Sequence, residues 1–264
     1  TIHVGKGHFA PFDHEGAEPL NLGFDVNVAG SSIGAPGSYY GQAGYGRAAK
    51  GPHARPVPGL DKYHGTDTFL TEALTLEAKA EVDKAVAAQK PFFLYIPFTA
   101  PHFPAQAHPD WKGKSANGAY GDVVEELDSR IGEILKTLTT EKIDRKTIVV
   151  FLSDNGPEPG QRKWASAKPF RGQKWSSLEG GTRVPCLVRW PGVIPAKRTS
   201  DDLTAAIDLL PTLTHACGIS LQEPSKAGPK IDGVNVWDTL IGKRNAVHAR
   251  TNLLYWNGWA KLEA

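Results

Sequence analysis

The sequence predicts an α/β fold with a mostly parallel central sheet flanked by helices. Between residues 66 and 156, two helical patterns alternate with two short runs of apolar and β-branched residues. A loop rich in polar side chains follows each run. This alternation is typical of parallel sheets, whose ligand-binding loops gather at the carboxyl ends of the strands. We therefore expect the functional residues at one edge of the sheet.

The segment 146–156, with the sequence KTIVVFLSDNG, predicts a buried strand that ends in oxygen ligands. The carboxylate of Asp154 and the carboxamide of Asn155 suit a hard divalent cation such as Ca²⁺ or Mg²⁺. The alternative is an Asx turn, in which both side chains only satisfy backbone groups beside Gly156.

Another strand is expected to end near the start of the chain, where residues 1–4 lead into Gly5-Lys6-Gly7-His8. The glycines let the two basic side chains approach an anion closely, with Lys6 as a point charge and His8 as a donor or proton carrier. An ordinary glycine turn with a solvated lysine is the alternative.

Residues 11–65 are rich in Gly, Pro, Ser, Tyr and His and show little periodicity. Unstructured loops of this length are usually functional or disordered, and Tyr39, Tyr40 and Tyr45 argue against disorder. We interpret the segment as a surface loop beside the active face, with rings suited to stacking on a sugar or aryl group. A loop packed only for stability is the alternative.

Apolar residues at helical spacing predict a helix over residues 68–89, and the run PFFLYIPF at 91–98 predicts the next strand. His102 follows that strand between Pro101 and Pro104, which stiffen its backbone and suit a site residue. The other interpretation is a structural histidine, which is the commoner role after a strand.

A second helix is predicted over residues 120–138, the clearest amphipathic pattern in the chain. One apolar stripe is expected on it, formed by Val124, Leu127, Ile131, Ile134 and Leu138. The carboxylates on its other faces, including Glu126, are interpreted as a solvated surface and not as acid–base groups.

The loop after Gly156 carries basic residues and ends in RGQKWSSLEGGTRVP at 171–185. Lys174 and Arg183 flank its EGG turn and could clamp a tetrahedral anion. The alternative is a pair of surface cations, with Arg183 bound to Glu179.

The rest of the chain predicts shorter elements. A strand is expected at 186–190, a short strand or an extended lead-in at 203–207, and a strand at 252–256, where a further sheet begins. A helix is expected to begin after the N-cap residue Asp208 and to end at Cys217.

Composition excludes several classes of protein. The 264 residues carry a net charge of +2, which favours neither nucleic acid nor an anionic membrane as a partner. Prolines interrupt the best candidate for a membrane span. Cys186 and Cys217 are too few for a disulfide framework, although they could form one bridge, and nothing in the sequence resembles a zinc cluster. The oligomeric state is left open.

Five stretches follow one another between residue 1 and about residue 240: IHVGKGHF, FTAPHFP, VVFLSDNG, RGQKWSSLEGGTRVP and AAIDLLPTL. In this order they resemble the formylglycine-dependent sulfatases of the arylsulfatase type, in the alkaline phosphatase-like superfamily. The resemblance implies an alkaline phosphatase-like α/β fold and hydrolysis of sulfate esters.

The resemblance implies a role for each matching side chain. Lys6 would steady the nucleophile and the sulfate, and His8 would assist release of sulfate from the covalent intermediate. His102 and Lys174 would bind the sulfate of the substrate and donate to the leaving-group oxygen.

The resemblance also implies one Ca²⁺ ion, with Asp154 and Asn155 as two of its ligands. Arg183 matches a family arginine in the EGG turn, and the role expected of it is structural support before catalysis.

The family's nucleophile, a Cys or Ser of a C/S-x-P-x-R motif that is oxidised to formylglycine, is absent from the sequence. Neither Cys186 nor Cys217 has that context, and the N-terminal aspartates of the metal site are missing too. Because Thr1 lies inside a strand pattern and the sequence has no Met, we expect the chain to be a fragment. Because it lacks the nucleophile and those aspartates, we expect it to be inactive alone and to bind calcium weakly. The expected domains are residues 1–240, a catalytic domain without its N-terminal part, and 241–264, the beginning of a C-terminal subdomain.

Two other functions stay open. A phosphatase or phosphodiesterase of the same superfamily would hold two transition metals with more His and Asp ligands. A non-catalytic module would bind sulfated glycans without a nucleophile. For a sulfatase, the Tyr-rich loop favours a sulfated carbohydrate over a small aryl sulfate, and the resemblance implies export to a periplasm or out of the cell.

Overall fold

The computed structural model describes residues 1–46, 55–161, 163–221, 230–243, 249–256 and 262–263. The chain divides into two compact units: Thr1–Ile143 with Pro157–Ser166, and Asp144–Gly156 with Ala167–Ala264. Every helix in the described ranges is too short or too polar to cross a lipid bilayer. The division expected at residue 240 stays a prediction.

A three-stranded parallel sheet lies in the first unit, with β1 (Ile2–Val4) in the centre. β2 (Val26–Val28) pairs with one edge of β1 and β3 (Leu94–Tyr95) with the other. All residues of β1 are buried, as is typical of strands covered on both faces of a parallel sheet. The predicted α/β class with a parallel sheet is confirmed.

Two long helices, α1 (Leu70–Ala87) and α2 (Gly118–Thr140), pack against each other in the same unit. Both predicted helices are confirmed. α1 begins and ends within the predicted range, and α2 extends slightly beyond the predicted range at both ends. The buried apolar side chains of α1 recur at helical spacing, at Leu70, Ala73, Leu74, Ala78 and Val82.

The solvated face predicted for α2 is wrong at Glu126, which is only 1% exposed. Its Oε2 accepts a hydrogen bond from the backbone N–H of His108 at 2.7 Å. Burial raises the pKa of Glu126 above its usual range, against the opposing effects of that N–H and of Arg130. Val124, predicted in the apolar stripe, is exposed, and Val123 is buried. A backbone N–H therefore draws the carboxylate inward, and the covered face of the helix differs from the predicted one.

The segment 11–65, predicted to be a surface loop, contributes β2 to the parallel sheet and packs two of its aromatic rings into the core. Tyr39 and Tyr45 are buried, and the ring of Tyr39 stacks on Phe69 with 5.7 Å between centroids. The expectation of exposed stacking rings is therefore wrong for these two tyrosines, because they fill the space beside the start of α1. Residues 47–54 of the predicted loop lie outside the described ranges.

In the second unit, β4 (Val149–Leu152) pairs with β5 (Cys186–Arg189) in antiparallel orientation. The strand predicted within 146–156 is present, but its predicted burial is wrong, since Phe151 and Leu152 are 40% and 36% exposed. Within the described ranges, the sheet that contains β4 has two strands. A larger sheet with helices on both faces would bury the side chains of β4, but this small sheet leaves Phe151 and Leu152 partly exposed.

The helix predicted from Asp208 to Cys217 is confirmed, but the N-cap role predicted for Asp208 is wrong, because its side chain makes no cap hydrogen bond and it lies at the end of a 3-10 helix. The strand predicted at 252–256 is confirmed in part. The remaining helices and strands are α3 (Glu179–Thr182), α4 (Leu209–Ala216), α5 (Trp237–Ile241), β6 (Tyr255–Trp256) and β7 (Leu262–Glu263). Short 3-10 helices lie at Glu15–Ala17, Pro19–Leu22, Gly41–Gly46, Asp61–Tyr63, Pro109–Trp111, Asp144–Lys146, Pro159–Gln161 and Ala206–Asp208.

The short strand expected at 203–207 is absent, and the extended alternative holds at Ala205, which leads into a 3-10 helix at Ala206. A carboxylate oxygen of Asp208 accepts a hydrogen bond from the Ala205 N–H at 2.9 Å, and the chain turns into a 3-10 helix there. That backbone group is therefore not free to pair in a sheet. Cys186 and Cys217 are both exposed and free, so the bridge that the sequence left open is absent.

Candidate active site

The segment Gly5–His8 continues from the carboxyl end of β1 and is held by the chain on both sides. The Gly5 N–H donates to the Val28 carbonyl at 2.9 Å, and the Lys6 N–H donates to the Pro97 carbonyl at 2.8 Å. Gly5 has a φ of 135°, and a Cβ there would lie 2.4 Å from the Pro97 oxygen. Only glycine therefore fits between the chain segments that follow β2 and β3, and this close fit positions Lys6.

His8 lies at the surface, in a left-handed backbone conformation with φ of 59°. Its N–H donates to the Ser31 carbonyl at 2.6 Å. Its ring lies over Gly34, where an added Cβ would come within 2.8 Å of the imidazole Cε1. The imidazole is therefore fixed against the loop that follows β2.

His102 lies in the loop after β3. Its Nδ1 is 2.6 Å from the Phe103 carbonyl oxygen, and because a carbonyl only accepts, Nδ1 carries a proton and donates it. Its Nε2 is 3.9 Å from a carboxylate oxygen of Glu158, beyond hydrogen-bond distance. The buried amide of Gln161 donates to the Pro101 carbonyl at 3.0 Å, which joins the two loops.

Three of the predicted site residues therefore share one edge of the parallel sheet. Lys6 and His8 follow β1 and His102 follows β3, and neighbouring parallel strands have their carboxyl ends on the same side. The other three predicted residues, Asp154, Asn155 and Lys174, belong to the second unit.

Asp154 and Asn155 follow β4. Asp154 is exposed, whereas Asn155 is half-buried and donates through Nδ2 to the Gly156 carbonyl at 2.9 Å. This bond satisfies a backbone group, as the Asx-turn interpretation expects. It also fixes the amide so that Oδ1 keeps its lone pairs for another partner.

The oxygens of Asp154 and Asn155 suit Ca²⁺ chemically but supply only part of a site. Ca²⁺ takes about six to eight oxygen ligands. In the described part of the chain, no three acidic, histidine or cysteine side chains are grouped so that they could hold a metal ion. Further ligands would have to complete the coordination.

The EGG turn is packed backbone to backbone against Gly156, in the loop that follows β4. The Gly156 N–H donates to the Gly181 carbonyl at 2.9 Å, and a Cβ on Gly156 would lie 1.9 Å from the Gly180 oxygen. A Cβ on Gly180 would in turn lie 2.6 Å from the Arg171 oxygen, and the Gly180 N–H donates to that oxygen at 2.6 Å. These glycines let the loop that carries Lys174 lie beside the Asp154–Asn155 pair.

Lys174 precedes a highly exposed tryptophan. Its Nζ is 5.2 Å from the centroid of the Trp175 ring, which is 84% exposed. Arg183 pairs with Glu179 at 3.1 Å, and its guanidinium lies 4.6 Å from the Phe170 ring centroid. Both partners of that ion pair are exposed, in line with a supporting role for Arg183.

Sequence reasoning missed Glu158 and Trp175 as neighbours of the predicted site. The only available signal for Glu158 was a carboxylate three residues beyond Asn155. Trp175 adjoins Lys174 in sequence, but its exposure could not be foreseen, because tryptophan is more often buried.

A family model described as Sulfatase matches residues 1–219 of the chain. Over 251 residues, the chain is 33% identical to N-acetylgalactosamine-6-sulfatase of Canis lupus familiaris, and the match covers 90% of this chain and 46% of that protein. It is 39% identical to steryl-sulfatase of Mus musculus over 138 residues, which is 50% of this chain and 22% of that protein. The chain spans about half or less of the length of these two relatives.

Solved structures have the same fold. The crystal structure of Ps i-CgsB in complex with k-i-k-neocarrahexaose aligns with a TM-score of 0.71 at 30% identity, over 92% of this chain and 55% of that one. PsFucS1 sulfatase from Pseudoalteromonas sp. aligns with a TM-score of 0.74 at 22% identity, over 98% of this chain and 55% of that one. The second likeness bears on the fold alone.

Proposed function

We propose, from the premise that this chain belongs to the sulfatase family, that the complete protein hydrolyses sulfate esters. The observation that carries the proposal is the arrangement at the edge of the parallel sheet, where Lys6 and His8 follow β1 and His102 follows β3. Three basic side chains at the carboxyl ends of neighbouring strands suit a tetrahedral anion.

The proposed roles follow from the chemistry of a sulfate ester. Negative charge grows on the leaving oxygen during cleavage, and fixed cations stabilise it. Lys6 steadies the nucleophile and the sulfate, and His8 assists sulfate release. His102 and Lys174 bind the sulfate and donate to the leaving oxygen. With Nδ1 of His102 donating to the Phe103 carbonyl, Nε2 is the atom that would transfer a proton, and it can do so when the ring is an imidazolium that carries a proton on each nitrogen.

Asp154 and Asn155 are the proposed ligands of one Ca²⁺ ion. Such an ion, when bound, supplies positive charge next to the oxygens of the sulfate. The nucleophile is proposed to be formylglycine, as in the arylsulfatase type. The 264 residues contain no C/S-x-P-x-R motif that could be its source, so activity is a property to test on the complete protein.

The proposed substrate is a sulfated carbohydrate. Support comes from the similarity to N-acetylgalactosamine-6-sulfatase over 90% of the chain, and from the structural match to Ps i-CgsB in complex with k-i-k-neocarrahexaose at 30% identity. The shorter match to steryl-sulfatase makes a sterol sulfate the natural competitor in a substrate panel. Export to a periplasm or to the outside is part of the same proposal.

The test is release of inorganic sulfate by the complete protein from sulfated sugars, a sterol sulfate, an aryl sulfate and matched phosphate esters. We expect the sulfated sugars to be the best substrates. A Lys6→Ala substitution should lower kcat/KM by about 100-fold or more. Release of phosphate but not of sulfate would overturn the proposal in favour of a phosphatase.

A further inference from the structure

Trp175 has a backbone conformation that bulky residues rarely adopt. The Ser176 N–H donates to the Gln173 carbonyl at 3.0 Å and closes a four-residue turn in which Trp175 is the third residue. Its φ is 77°, in the left-handed region. Turns of this kind usually have glycine or asparagine at that position, because a Cβ there crowds the backbone.

Burial does not compensate for this strain. At 84% exposed, the Trp175 side chain is more exposed than any other large hydrophobic side chain in the described ranges. Its ring lies beside its neighbour in the sequence, with Nζ of Lys174 5.2 Å from the ring centroid. Strained residues that do not stabilise the core occur mainly at functional sites.

The turn that presents Trp175 is tightly constrained. The Gly180 N–H donates to the Arg171 carbonyl at 2.6 Å, which closes the loop at its base. Behind the turn, a Cβ on Gly181 would lie 2.1 Å from the Ser176 oxygen and 2.4 Å from the Gln173 oxygen. The indole is therefore displayed by a packed loop.

We propose that Trp175 is a specificity residue whose indole face stacks on the pyranose ring that carries the sulfate. The inference rests on the proposed function, in which Lys174 binds that sulfate. An indole face complements the C–H face of a sugar ring. In a sugar sulfate, the sulfur is separated from the pyranose ring by one ester oxygen, or by an oxygen and one methylene in a 6-sulfate. A sulfate at the Lys174 ammonium therefore leaves its sugar within reach of an indole 5.2 Å away.

The first test compares Trp175→Ala with the unmodified complete protein. We expect kcat/KM for galactose 6-sulfate to fall about tenfold, because an exposed stacking contact is lost. Inhibition by inorganic sulfate, which has no ring, should stay the same. An equal or larger loss with p-nitrophenyl sulfate would show that the site prefers an aryl ring and would overturn the pyranose assignment.

A second pair of substitutions separates binding from folding. Trp175→Gly should reproduce the loss on galactose 6-sulfate while the Tm stays equal or rises, because glycine tolerates φ of 77°. The matched control is Trp164→Ala, since Trp164 also has a lysine ammonium 5.5 Å from its ring centroid. A lower Tm in Trp175→Gly, or the same loss of activity in Trp164→Ala, would overturn the inference.

The inference and the proposed function can fail separately. If the complete protein releases sulfate from sugars and Trp175→Ala is unimpaired, the inference alone is wrong. If no ester is hydrolysed, the stacking site is tested by binding, as quenching of tryptophan fluorescence by galactose 6-sulfate. Quenching that is lost in Trp175→Ala would support the stacking site without the activity, and quenching that persists would overturn it.

Discussion

Arg250 and Asp208 form a buried ion pair in the second unit. Nη2 of Arg250 donates to Oδ1 of Asp208 at 2.6 Å and Nε donates to Oδ2 at 2.9 Å, with the side chains 9% and 1% exposed. The N–H groups of Ala205 and Val234 donate to the same carboxylate. Burial would raise the pKa of Asp208, but these donors hold it below its usual range.

Breaking this pair should destabilise the protein strongly. Arg250→Leu leaves a buried carboxylate without its cation, so the free energy of unfolding should fall by about 3–5 kcal/mol in urea titrations. The control is Lys243→Leu, which removes an exposed pair with Asp238 and should cost about 1 kcal/mol or less. Equal losses in the two variants would contradict the importance of the buried pair.

His3 should make the protein less stable in mild acid. It is fully buried in β1, with Nδ1 3.1 Å from Oδ1 of Asn27. Burial lowers the pKa of His3, although the Asn27 contact opposes this. As the pH falls, His3 therefore binds a proton in the unfolded chain before it does so in the folded protein. The free energy of unfolding contributed by neutral His3 is present above about pH 6.5 and decreases as the pH falls below that value.

The measurement is the change in Tm between about pH 7.5 and 5.5, a range that spans the ordinary histidine pKa. His3→Gln should reduce this change, whereas His14→Gln, at an exposed position, should not. A wild-type pH dependence in His3→Gln would refute the assignment to His3.

The Gly156 contact should not tolerate a methyl group. A Cβ there would lie 1.9 Å from the Gly180 oxygen. Gly156→Ala should therefore cost about 1–3 kcal/mol of stability through overpacking. Gly132→Ala is the control, because Gly132 lies in α2 and no atom outside its own stretch of helix is within 4 Å of the added Cβ, so this substitution should stabilise by about 0.5–1 kcal/mol. Chemical denaturation of both variants tests the contrast.

Calcium should raise the Tm of the complete protein through Asp154. Saturating Ca²⁺, at about 100 times its Kd, would add about 2.7 kcal/mol of stability, and EDTA should remove it. Asp154→Ala should lose this response, while Asp128→Ala, an exposed position on α2, should keep it. An unchanged calcium response in Asp154→Ala would exclude that carboxylate as a ligand.

The elements that could be predicted are those set by local patterns. α1 and α2 follow from periodic apolar residues, the end of α4 follows from the glycine after Cys217, and the Gly5–His8 segment follows from glycines after a strand. The predictions of burial were wrong where a residue distant in sequence determines whether a side chain is buried. Glu126 is buried because its partner, the His108 N–H, lies 18 residues away in sequence. Tyr39 is buried because Phe69 offers a ring to stack on.

In the candidate site, too, the chemistry of single residues could be predicted from the sequence, but the contacts between loops could not. The types of residue at Lys6, His102 and Asp154 point to their chemistry without coordinates. The contact of Gly156 with the EGG turn could not be foreseen, because each glycine alone suits many turns. Nor could the sequence indicate that Trp175 would stand in a strained turn at the surface, since φ depends on how the whole loop closes.

The backbone contact of Gly156 with Gly180 and Gly181 constrains how this family member can change. Because this contact joins backbone atoms only, no larger or smaller side chain can change the distance between the two segments in small steps. If this contact changes, Asn155 and the loop that carries Lys174 must move together. Sequence variation in this region is therefore expected at exposed side chains outside the contact, such as Trp175.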